Sequence, residues 1–528
     1  MKTADLARAF TLLIAVSLAA CSSLPPGADY PKTRSVAYVN PSENQVEIVF
    51  TGRSVADPTL SAFRMLSVGT DGFATRMQMA NAAKHTLDLQ YFIFSADSTG
   101  LLMTKAILAA ADRGVRVRLL VDDGSPAAGD EQIQVLSAHP QIEVRVFNPF
   151  VYRGHLKLLR ALDFALESHR VDYRMHNKLF VADNSIALVG GRNIGDEYFQ
   201  VSPDAQYADD DVFVGGRVVG QLSATFDEYW NSALAIPAQA LRKSSPARLQ
   251  RQRQHLLAHW HAAETARVDY LKRAEQGEPL AGMLSGKLPL TWSHASVVCD
   301  SPEKEKVVKG GKPGRLMYGP IAQALDQVQS EFLMITPYLV PTSEEMQLLH
   351  ALRARNVRVR ILTNSLNSTN ELSAHAGYTH YRRQLLEEGV ELYEVRALLG
   401  PTSRGSGQTR ALSRYGNYGL HAKLLIFDRK SIYAGSMNFD QRSRFLNTEV
   451  GVIIESPELA TQTVARFEAM TRPESAYAVS LQPGGTGTAI VWRTLEHDKP
   501  VEYTREPSDS WRRRLQAKIL FLVPKREL

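Results

Sequence analysis

A short motif occurs twice in this chain, and the duplication constrains the fold more than any other feature of the sequence. The stretch "MHNKLFVADNSIALVGGRN" contains His-x-Lys, then an Asp and a final Asn, and "LHAKLLIFDRKSIYAGSMN" repeats this pattern. Each residue of the first copy lies 245 positions before its counterpart, and the pairs are His176 and His421, Lys178 and Lys423, Asp183 and Asp428, and Asn193 and Asn438. A fixed offset of this kind indicates that a whole structural unit is repeated.

The sequence around each motif repeats as well and predicts an α/β fold. Apolar and polar residues alternate in "HTLDLQYF", a helical stretch follows, and "VRVRLLVDD" predicts a second strand; "EFLMITPYLV" and "VRVRILTNS" keep this order in the later half. We expect Ser98 to cap the first of these helices and Gly114 to end it. The predicted fold has two duplicated lobes, each a mixed sheet flanked by helices, with the site at their pseudo-two-fold interface.

Composition shifts along the chain give the predicted boundaries. No Asp or Glu occurs between Tyr229 and Ala263, which predicts a basic helical connector between the lobes. The C-terminus mixes Arg and Lys with "ILFLV", which suits either docking on an anionic membrane or a final strand with a charged tail. The predicted segments are residues 1–20 (signal), 50–235 (first lobe), 236–309 (connector), 310–475 (second lobe) and 476–528 (C-terminal segment).

The N-terminus has the features of a bacterial lipoprotein signal. Lys2 and Arg8 precede and flank an apolar run, which ends in Leu-Ala-Ala directly before Cys21. We expect residues 1–20 to be removed and Cys21 to carry lipid, which places the protein in the bacterial cell envelope facing the periplasm, on the inner or outer membrane. The alternatives are an uncleaved anchor and a soluble secreted protein. Cys299 would then have no intramolecular partner, so we expect no disulfide in the fold.

The residue types of the motif suit phosphodiester chemistry. In a strand, His176 and Lys178 project to the same face, as do His421 and Lys423. A protonated Lys offers no lone pair to a metal ion, so we expect neither a metal site nor a cofactor. Ammonium and amide groups can instead stabilise an oxyanion, while one imidazole attacks phosphorus and another transfers protons. Two facing lobes would supply the two histidines.

The paired motifs resemble the HKD signatures of the phospholipase D superfamily, and the resemblance covers both halves. It implies a two-lobed α/β fold, metal-independent phosphodiester transfer and a phosphohistidine intermediate. It also implies that His176 is the nucleophile and His421 the general acid and base. Four residues would hold the phosphate, namely Lys178, Lys423, Asn193 and Asn438. The motif residues Asp183 and Asp428 fall at the hairpin turns, where we expect them to organise the backbone.

The resemblance further implies that a carboxylate downstream of each motif orients a histidine and fixes its tautomer. In the second half this residue is Glu449, in "NTEVGVII". In the first half "YADDDVFVGG" aligns Asp211 to the same place, with Asp209 as the alternative.

Within the superfamily, the chain is most similar to bacterial cardiolipin synthases of the C type. The similarity rests on two full lobes, on "GGRNIGDEYF", "GSMNFDQRS" and "FDEYWNS", and on the lack of two N-terminal transmembrane helices. It implies phosphatidyl transfer from phosphatidylethanolamine to phosphatidylglycerol at a membrane surface, with a small partner protein. The net charge of +6 also suits anionic phospholipids.

Two other classes of function stay open at this point. One is a hydrolytic phospholipase D or a nuclease, and the other is a non-catalytic lipid-binding lipoprotein. A nuclease would need an open basic groove and would gain little from a lipid anchor, so we do not expect a nucleic acid partner. The motifs do not distinguish water from an alcohol as the acceptor, nor do they identify the donor lipid.

Overall fold

The two halves of the chain fold as two lobes, which a computed structural model describes at residues 30–39, 57–124, 130–152, 157–202, 205–241, 245–267, 269–272, 278–397, 417–484, 487–508 and 510–520. The predicted signal segment, Cys21, and the connector residues Arg242 and Lys243 lie outside the described residues. Within the described parts of the chain, every helix is too short or too polar to cross a membrane.

The first lobe consists of a mixed sheet with helices on its faces. Its elements are β1 (Ser61–Leu66), α1 (Gly69–Ala82), β2 (Thr86–Tyr91), α2 (Ser98–Asp112), β3 (Arg116–Asp122), α3 (Asp130–Ser137), β4 (Ile142–Phe147), α4 (Lys157–Val171), β5 (Leu179–Ala182), β6 (Ile186–Gly190), β7 (Ala205–Ala208), β8 (Asp211–Gly216), α5 (Arg217–Trp230) and β9 (Ala235–Pro237). The connector contains α6 (Ala238–Leu241), α7 (Pro246–Ala266), α8 (Pro279–Ser285), β10 (Thr291–Ser293), β11 (Ala295–Cys299) and α9 (Lys304–Val308).

The second lobe repeats this arrangement. Its elements are α10 (Tyr318–Asp326), β12 (Glu331–Ile335), β13 (Leu339–Val340), α11 (Ser343–Ala354), β14 (Arg358–Asn364), α12 (Leu372–Glu387), β15 (Glu391–Val395), β16 (Asn417–Leu420), β17 (Leu424–Phe427), β18 (Ser431–Gly435), β19 (Phe439–Asp440), α13 (Gln441–Phe445), β20 (Val450–Ile454) and α14 (Pro457–Met470). The C-terminal segment adds β21 (Ala476–Gly484), β22 (Gly487–Glu496), β23 (Lys499–Tyr503) and α15 (Trp511–Leu520).

The strand orders show that the duplication is structural. The first sheet runs β10-β1-β8-β6-β5-β2-β3-β4-β9, and the second runs β11-β20-β18-β17-β12-β14-β15-β21-β22-β23. Even the register repeats: Leu89 pairs with Phe180 in the first sheet, and Met334 pairs with Leu425 in the second. The predicted α/β fold with two duplicated lobes and mixed sheets is therefore confirmed.

The two sheets share one hydrophobic core. A single cluster of buried side chains includes Val181 and Val212 from the first sheet and Ile335 and Ile426 from the second. The connector also joins both lobes. Its strand β10 pairs with β1 and is the outermost strand of the first sheet, and β11 pairs with β20 and is the outermost strand of the second sheet. Burying apolar surface of both sheets in one core fixes how the lobes face each other.

Local signals in the sequence account for the ends of α2, with one correction. Asp97, and not the predicted Ser98, is the N-cap of α2, since its carboxylate accepts the backbone N–H of Gly100 at 3.1 Å. Ser98 is instead the first helical residue. Gly114 follows the end of α2 with a φ of +94°, as predicted for a glycine that ends a helix.

The two motif Asp residues organise the hairpin turns, as their positions predict. Asp183 and Asn184 both have a φ of 51°, which is typical of a type I′ turn. The Asp183 carboxylate accepts the backbone N–H groups of Lys84, His85 and Thr86 at 2.8–2.9 Å, and so ties the turn to the start of β2. Asp428 binds the chain before β12 in the same way.

These contacts predict that Asp183→Ala destabilises the fold more than Asp428→Ala. The buried Asp183 leaves three N–H groups without an acceptor, which costs about 3 kcal/mol, whereas water can replace part of the half-buried Asp428. Urea unfolding of both variants measures the difference. Equal losses of stability in the two variants would contradict this interpretation.

Candidate active site

Each motif histidine is paired with a carboxylate from the opposite lobe. The Nδ1 atom of His176 lies 2.9 Å from Oε2 of Glu449, and that of His421 lies 2.6 Å from Oδ2 of Asp209. Both histidines and both acids are buried. A carboxylate at Nδ1 requires a proton there, which leaves Nε2 of each ring with a free lone pair.

Backbone contacts between the lobes hold these pairs in place. β7 pairs in parallel with β16, and the carbonyl of Ala208 accepts the N–H of His421 at 2.8 Å. In the mirrored position, the carbonyl of Thr448 accepts the N–H of His176 at 2.9 Å. Each acid therefore follows directly after the residue that binds the partner histidine's backbone.

The sequence alignment that selected Asp211 was wrong by two residues. The sheet registers make Val212 equivalent to Val452, because they pair with Val189 and Ala434, which are themselves one repeat apart. Counting back three residues from each Val gives Asp209 and Glu449. Glu449 was assigned as an orienting acid, but it serves the histidine of the other lobe.

The three consecutive acids of "ADDDV" are buried and bind different partners. Asp209 binds His421, Asp210 accepts Nε of Arg466 at 2.8 Å, and Asp211 forms ion pairs with Arg76 and Arg192 at 2.8 and 3.2 Å. Gly191 is the residue of the sequence that corresponds to the first acid, because a Cβ at this position would collide with the carboxylate of Asp209. The second glycine of the motif is therefore required by the acid that approaches it.

Glu449 is held more extensively than Asp209. Its carboxylate accepts hydrogen bonds from the hydroxyl groups of Ser443, at 2.7 Å, and of Ser436. Its backbone N–H donates a hydrogen bond to the carboxylate of Asp300 at 3.0 Å. Ser436 occupies the position that is Gly191 in the first copy of the motif. The hydroxyl thus fixes the longer Glu side chain, whereas the glycine makes space for the Asp.

The two motif lysines lie beside the histidines. The ammonium of Lys423 is 3.0 Å from Nδ1 of His421, and each Lys also donates to the carbonyl of the His two residues before it. The carboxylate and backbone contacts between the lobes bring the two motifs into one site, where both ammonium groups lower the pKa of both imidazoles.

Burial and like charge set the protonation of this site. Burial, and then Lys178 and Lys423, hold the pKa of His176 well below its usual value, and burial with Lys423 lowers the pKa of His421 to about 3. Burial also lowers the pKa of Lys423 to about 8. Burial alone would raise the pKa of Asp209, but His421 and Lys423 outweigh it and hold that pKa below its usual value. Both imidazoles are therefore neutral at neutral pH.

The predicted phosphate ligands Asn193 and Asn438 lie at equivalent positions but have different contacts. The side chain of Asn193 accepts the N–H of Ile93 at 3.1 Å and donates to the hydroxyl of Tyr198 at 3.0 Å. Oδ1 of Asn438 is buried and has no hydrogen-bond partner among the described residues. A phosphate contact by Asn193 would have to use its second N–H, and this role stays a prediction for both residues.

Aromatic rings surround the imidazoles, which the sequence analysis did not foresee. Phe92 lies edge-on to His176 with 5.1 Å between ring centroids. The ring of His421 packs against those of Tyr198 and Tyr207, with 5.1 and 5.4 Å between ring centroids. Within the described residues, no group of three or more His, Cys, Asp or Glu side chains is arranged to hold a metal ion.

The geometry predicts different consequences for two neighbouring Asp→Asn variants. Asp209→Asn removes the charge that fixes the His421 tautomer, so kcat on a phosphodiester should fall about 10²–10⁴-fold with little change in Tm. Asp211→Asn leaves two buried guanidinium groups less compensated and should lower Tm instead. Turnover of bis(4-nitrophenyl) phosphate and thermal unfolding distinguish them. The reverse assignment of effects would restore Asp211 as the orienting acid.

Comparisons with known proteins identify the family to which the chain belongs. The profile of the family described as "Cardiolipin synthase, PLD-like domain" matches residues 77–230 and 321–471. Cardiolipin synthase C of Escherichia coli K12 is 37% identical over 464 residues, covering 87% of this chain and 94% of that protein. An uncharacterized protein of Helicobacter pylori is 27% identical over 505 residues, covering 94% of this chain and 95% of its own length.

A solved structure supports the fold in addition. The phosphatidylserine synthase of Haemophilus influenzae Rd KW20 is similar with a TM-score of 0.52 at 13% identity, covering 82% of this chain and 92% of that one. The resemblance seen in the paired motifs is confirmed by the family match, which spans both lobes. The chain belongs to the cardiolipin synthase family with the phospholipase D-like domain.

Proposed function

We propose that this phospholipase D-type phosphatidyltransferase makes cardiolipin from phosphatidylglycerol and a second phospholipid, of which phosphatidylethanolamine is the first candidate. The observation that carries the proposal is the crossed pair of imidazole–carboxylate contacts, His176 with Glu449 and His421 with Asp209. It provides two neutral imidazoles with free Nε2 atoms beside two lysines. The similarity to cardiolipin synthase C of Escherichia coli supports the choice of lipids.

In the proposed first step, Nε2 of His176 attacks the phosphorus of the donor lipid. A nitrogen–phosphorus bond forms while the bond to the head-group oxygen breaks, and His421 gives its Nε2 proton to the leaving alkoxide. Lys178 and Lys423 lie where they can stabilise the charge on the phosphoryl oxygens. His421 is neutral in the empty site, so the bound phosphodiester anion has to raise its pKa before this step.

In the proposed second step, a hydroxyl group of phosphatidylglycerol replaces the first head group. His421 accepts the hydroxyl proton, the new oxygen–phosphorus bond forms, and the bond to His176 breaks. Phe92, Tyr198 and Tyr207 pack against the two imidazoles, and these apolar rings reduce the space for free water beside them, which favours an alcohol as the acceptor. A hydrolytic phospholipase D, which would release phosphatidic acid, is the alternative.

The full chain in mixed micelles tests this proposal. With labelled phosphatidylglycerol, with and without phosphatidylethanolamine and in the presence of EDTA, we expect cardiolipin as the product. His176→Ala and His421→Ala should each lower its formation at least about 10³-fold, since each removes a group required in both steps. Mass spectrometry of the lipids identifies the product and the donor.

Three results of this experiment would change the assignment. Phosphatidic acid as the main product would make the protein a hydrolase. Full activity in either variant would exclude the two-histidine mechanism. A phosphorylated peptide that contains His421 instead of His176 after acid-free quenching would exchange the two catalytic roles.

The lowered pKa of Lys423 predicts the alkaline side of the pH profile. Since this pKa is about 8, the ammonium is present below that pH and is lost above it, so kcat/KM should fall as the pH rises through 8. A bound phosphodiester favours the ammonium form and so raises the pKa of Lys423. The alkaline fall in kcat should therefore occur at a higher pH than the fall in kcat/KM. Burial lowers the pKa of Lys178 as well, so a Lys423→Arg variant, which keeps its charge, should lose only the part of the fall that belongs to Lys423. A pH-independent kcat/KM from 7 to 10 would contradict this role.

The location of the enzyme is part of the proposal. We infer lipidation at Cys21 and a position in the cell envelope facing the periplasm from the sequence of residues 1–21. Palmitate labelling that a Cys21→Ser variant loses would support the anchor. A small partner protein stays a prediction, which an activity increase on adding extract to the purified chain would support.

A further inference from the structure

Among the side chains of helix α4 that the structure describes, several apolar ones are exposed and several charged ones are buried. Its exposed side chains include Leu159, Leu162 and Leu166, with exposed fractions of 39%, 52% and 58%. These residues follow the i, i+3, i+7 spacing of one helix face. Its charged residues Asp163 and Glu167 are buried, with exposed fractions of 9% and 5%. In water, the opposite orientation would be favoured by several kcal/mol.

Specific polar contacts hold α4 in this orientation. Oδ2 of Asp163 accepts the backbone N–H of Tyr152 at 2.8 Å, and Arg170 donates to Oδ1 of Asn148 and the carbonyl of Pro149 at 2.6 and 3.0 Å. The polar face is thereby bound to the segment that follows β4. The leucines cannot turn inward without breaking these buried hydrogen bonds, so the apolar face requires another partner.

The position of α4 relates this face to the active site. α4 follows the carboxyl end of β4, and the chain from its last residue continues through four residues to His176. Asp172, directly after α4, forms an ion pair with Arg442 at 2.8 Å, and the charge of Arg442 also acts on His176. The exposed leucines therefore lie at the end of the first sheet where the parallel strands have their carboxyl ends. His176 lies at the same end.

The C-terminal segment presents a similar stripe near the carboxyl end of a strand of the second sheet. In α15, Trp511, Leu515 and Ile519 follow at four-residue intervals and are exposed by 68%, 49% and 57%. Arg513 fixes α15 by donating to the carbonyls of Leu366 and Thr369, in the segment that follows the carboxyl end of β14. Residues 511–520 of the C-terminal segment are helical, whereas most of the apolar run "ILFLV" lies outside the described residues.

The charges around the two stripes identify what covers them. α15 contains four basic residues and no acidic residue, and Arg512, Arg514 and Lys518 are exposed. In α4 both acidic residues are buried, so neither helix exposes a carboxylate. A second copy of the chain would oppose these cations with cations, whereas anionic lipid head groups complement them and acyl chains accept the apolar residues.

We propose that α4 and α15 together form a docking surface for an anionic lipid bilayer, with their apolar stripes inserted below the head groups. The inference deepens the proposed function, on which it rests, because it names the surface that delivers the lipid phosphate to the cleft. The two helices then touch the bilayer near the carboxyl ends of the parallel strands of the two sheets. The enzyme takes its substrates from the membrane without having to cross it.

Site-specific fluorescence tests where the bilayer touches the protein. Cysteines introduced as Leu162→Cys, Leu515→Cys or Val39→Cys in the full chain carrying Cys21→Ser are labelled with NBD. Val39 is the control, since it is 79% exposed and its neighbour Tyr38 accepts a hydrogen bond from Asn184 at the opposite, hairpin-turn edge. With phosphatidylglycerol vesicles, we expect a blue shift and quenching by nitroxide lipids at positions 162 and 515, and neither at 39.

A variant without the apolar face separates docking from catalysis. Leu162→Gln with Leu166→Gln should weaken binding to phosphatidylglycerol vesicles about tenfold or more and lower turnover of vesicle lipids in proportion. Turnover of the soluble bis(4-nitrophenyl) phosphate should stay unchanged, as should Tm. Val39→Gln, the matched control, should behave as the wild type in all assays.

The outcomes distinguish this inference from the proposed function. A label at position 162 that stays in water while the chain binds vesicles overturns the docking surface, as does unchanged vesicle turnover in the double variant. A dimer in light scattering that this variant converts to a monomer also overturns it, because a second copy then covers α4. Insertion at 162 and 515 without any cardiolipin formed supports the docking surface and rejects the synthase function alone.

Discussion

The exchange of carboxylates between the lobes is the contact on which the site depends. Neither lobe contains a complete histidine–acid pair, because Glu449 serves His176 and Asp209 serves His421. The backbones of Ala208 and Thr448 position the partner histidines at the same points. Separation of the lobes would therefore disrupt both pairs together, which explains why the apolar faces of both sheets share one core.

The burial of the two motif lysines favours the binding of an anion. Two ammonium groups and two imidazoles are buried together, and burial lowers the pKa of Lys178 as well as that of Lys423. An anion between the lysines would offset the desolvation cost and restore their charge. The same anion would raise the pKa of His421 toward the range a general acid needs. Substrate binding thus prepares the proton donor that the empty enzyme lacks.

The sequence predicts the parts of the fold that repeat or alternate, and fails where spacing is irregular. The duplication, the motif hairpins and the turn function of Asp183 follow directly from local patterns. Asp211 was chosen over Asp209 because three acids occur in a row, and only sheet register decides which one reaches His421. The crossing of the acids between lobes was equally invisible, since local sequence carries no information about which histidine an acid will meet.

Helix α4 is a second case in which local sequence does not predict the structure. Its spacing of leucines gives a normal amphipathic pattern, from which sequence alone would bury the apolar face. The buried contacts of Asp163 and Arg170 reverse this, and they do so at the sheet edge next to His176. A fold that buries polar groups in order to expose leucines sacrifices stability in water. Such a helix is maintained where the exposed face gains more from another medium, and an enzyme that acts on membrane lipids operates at the boundary where that medium begins.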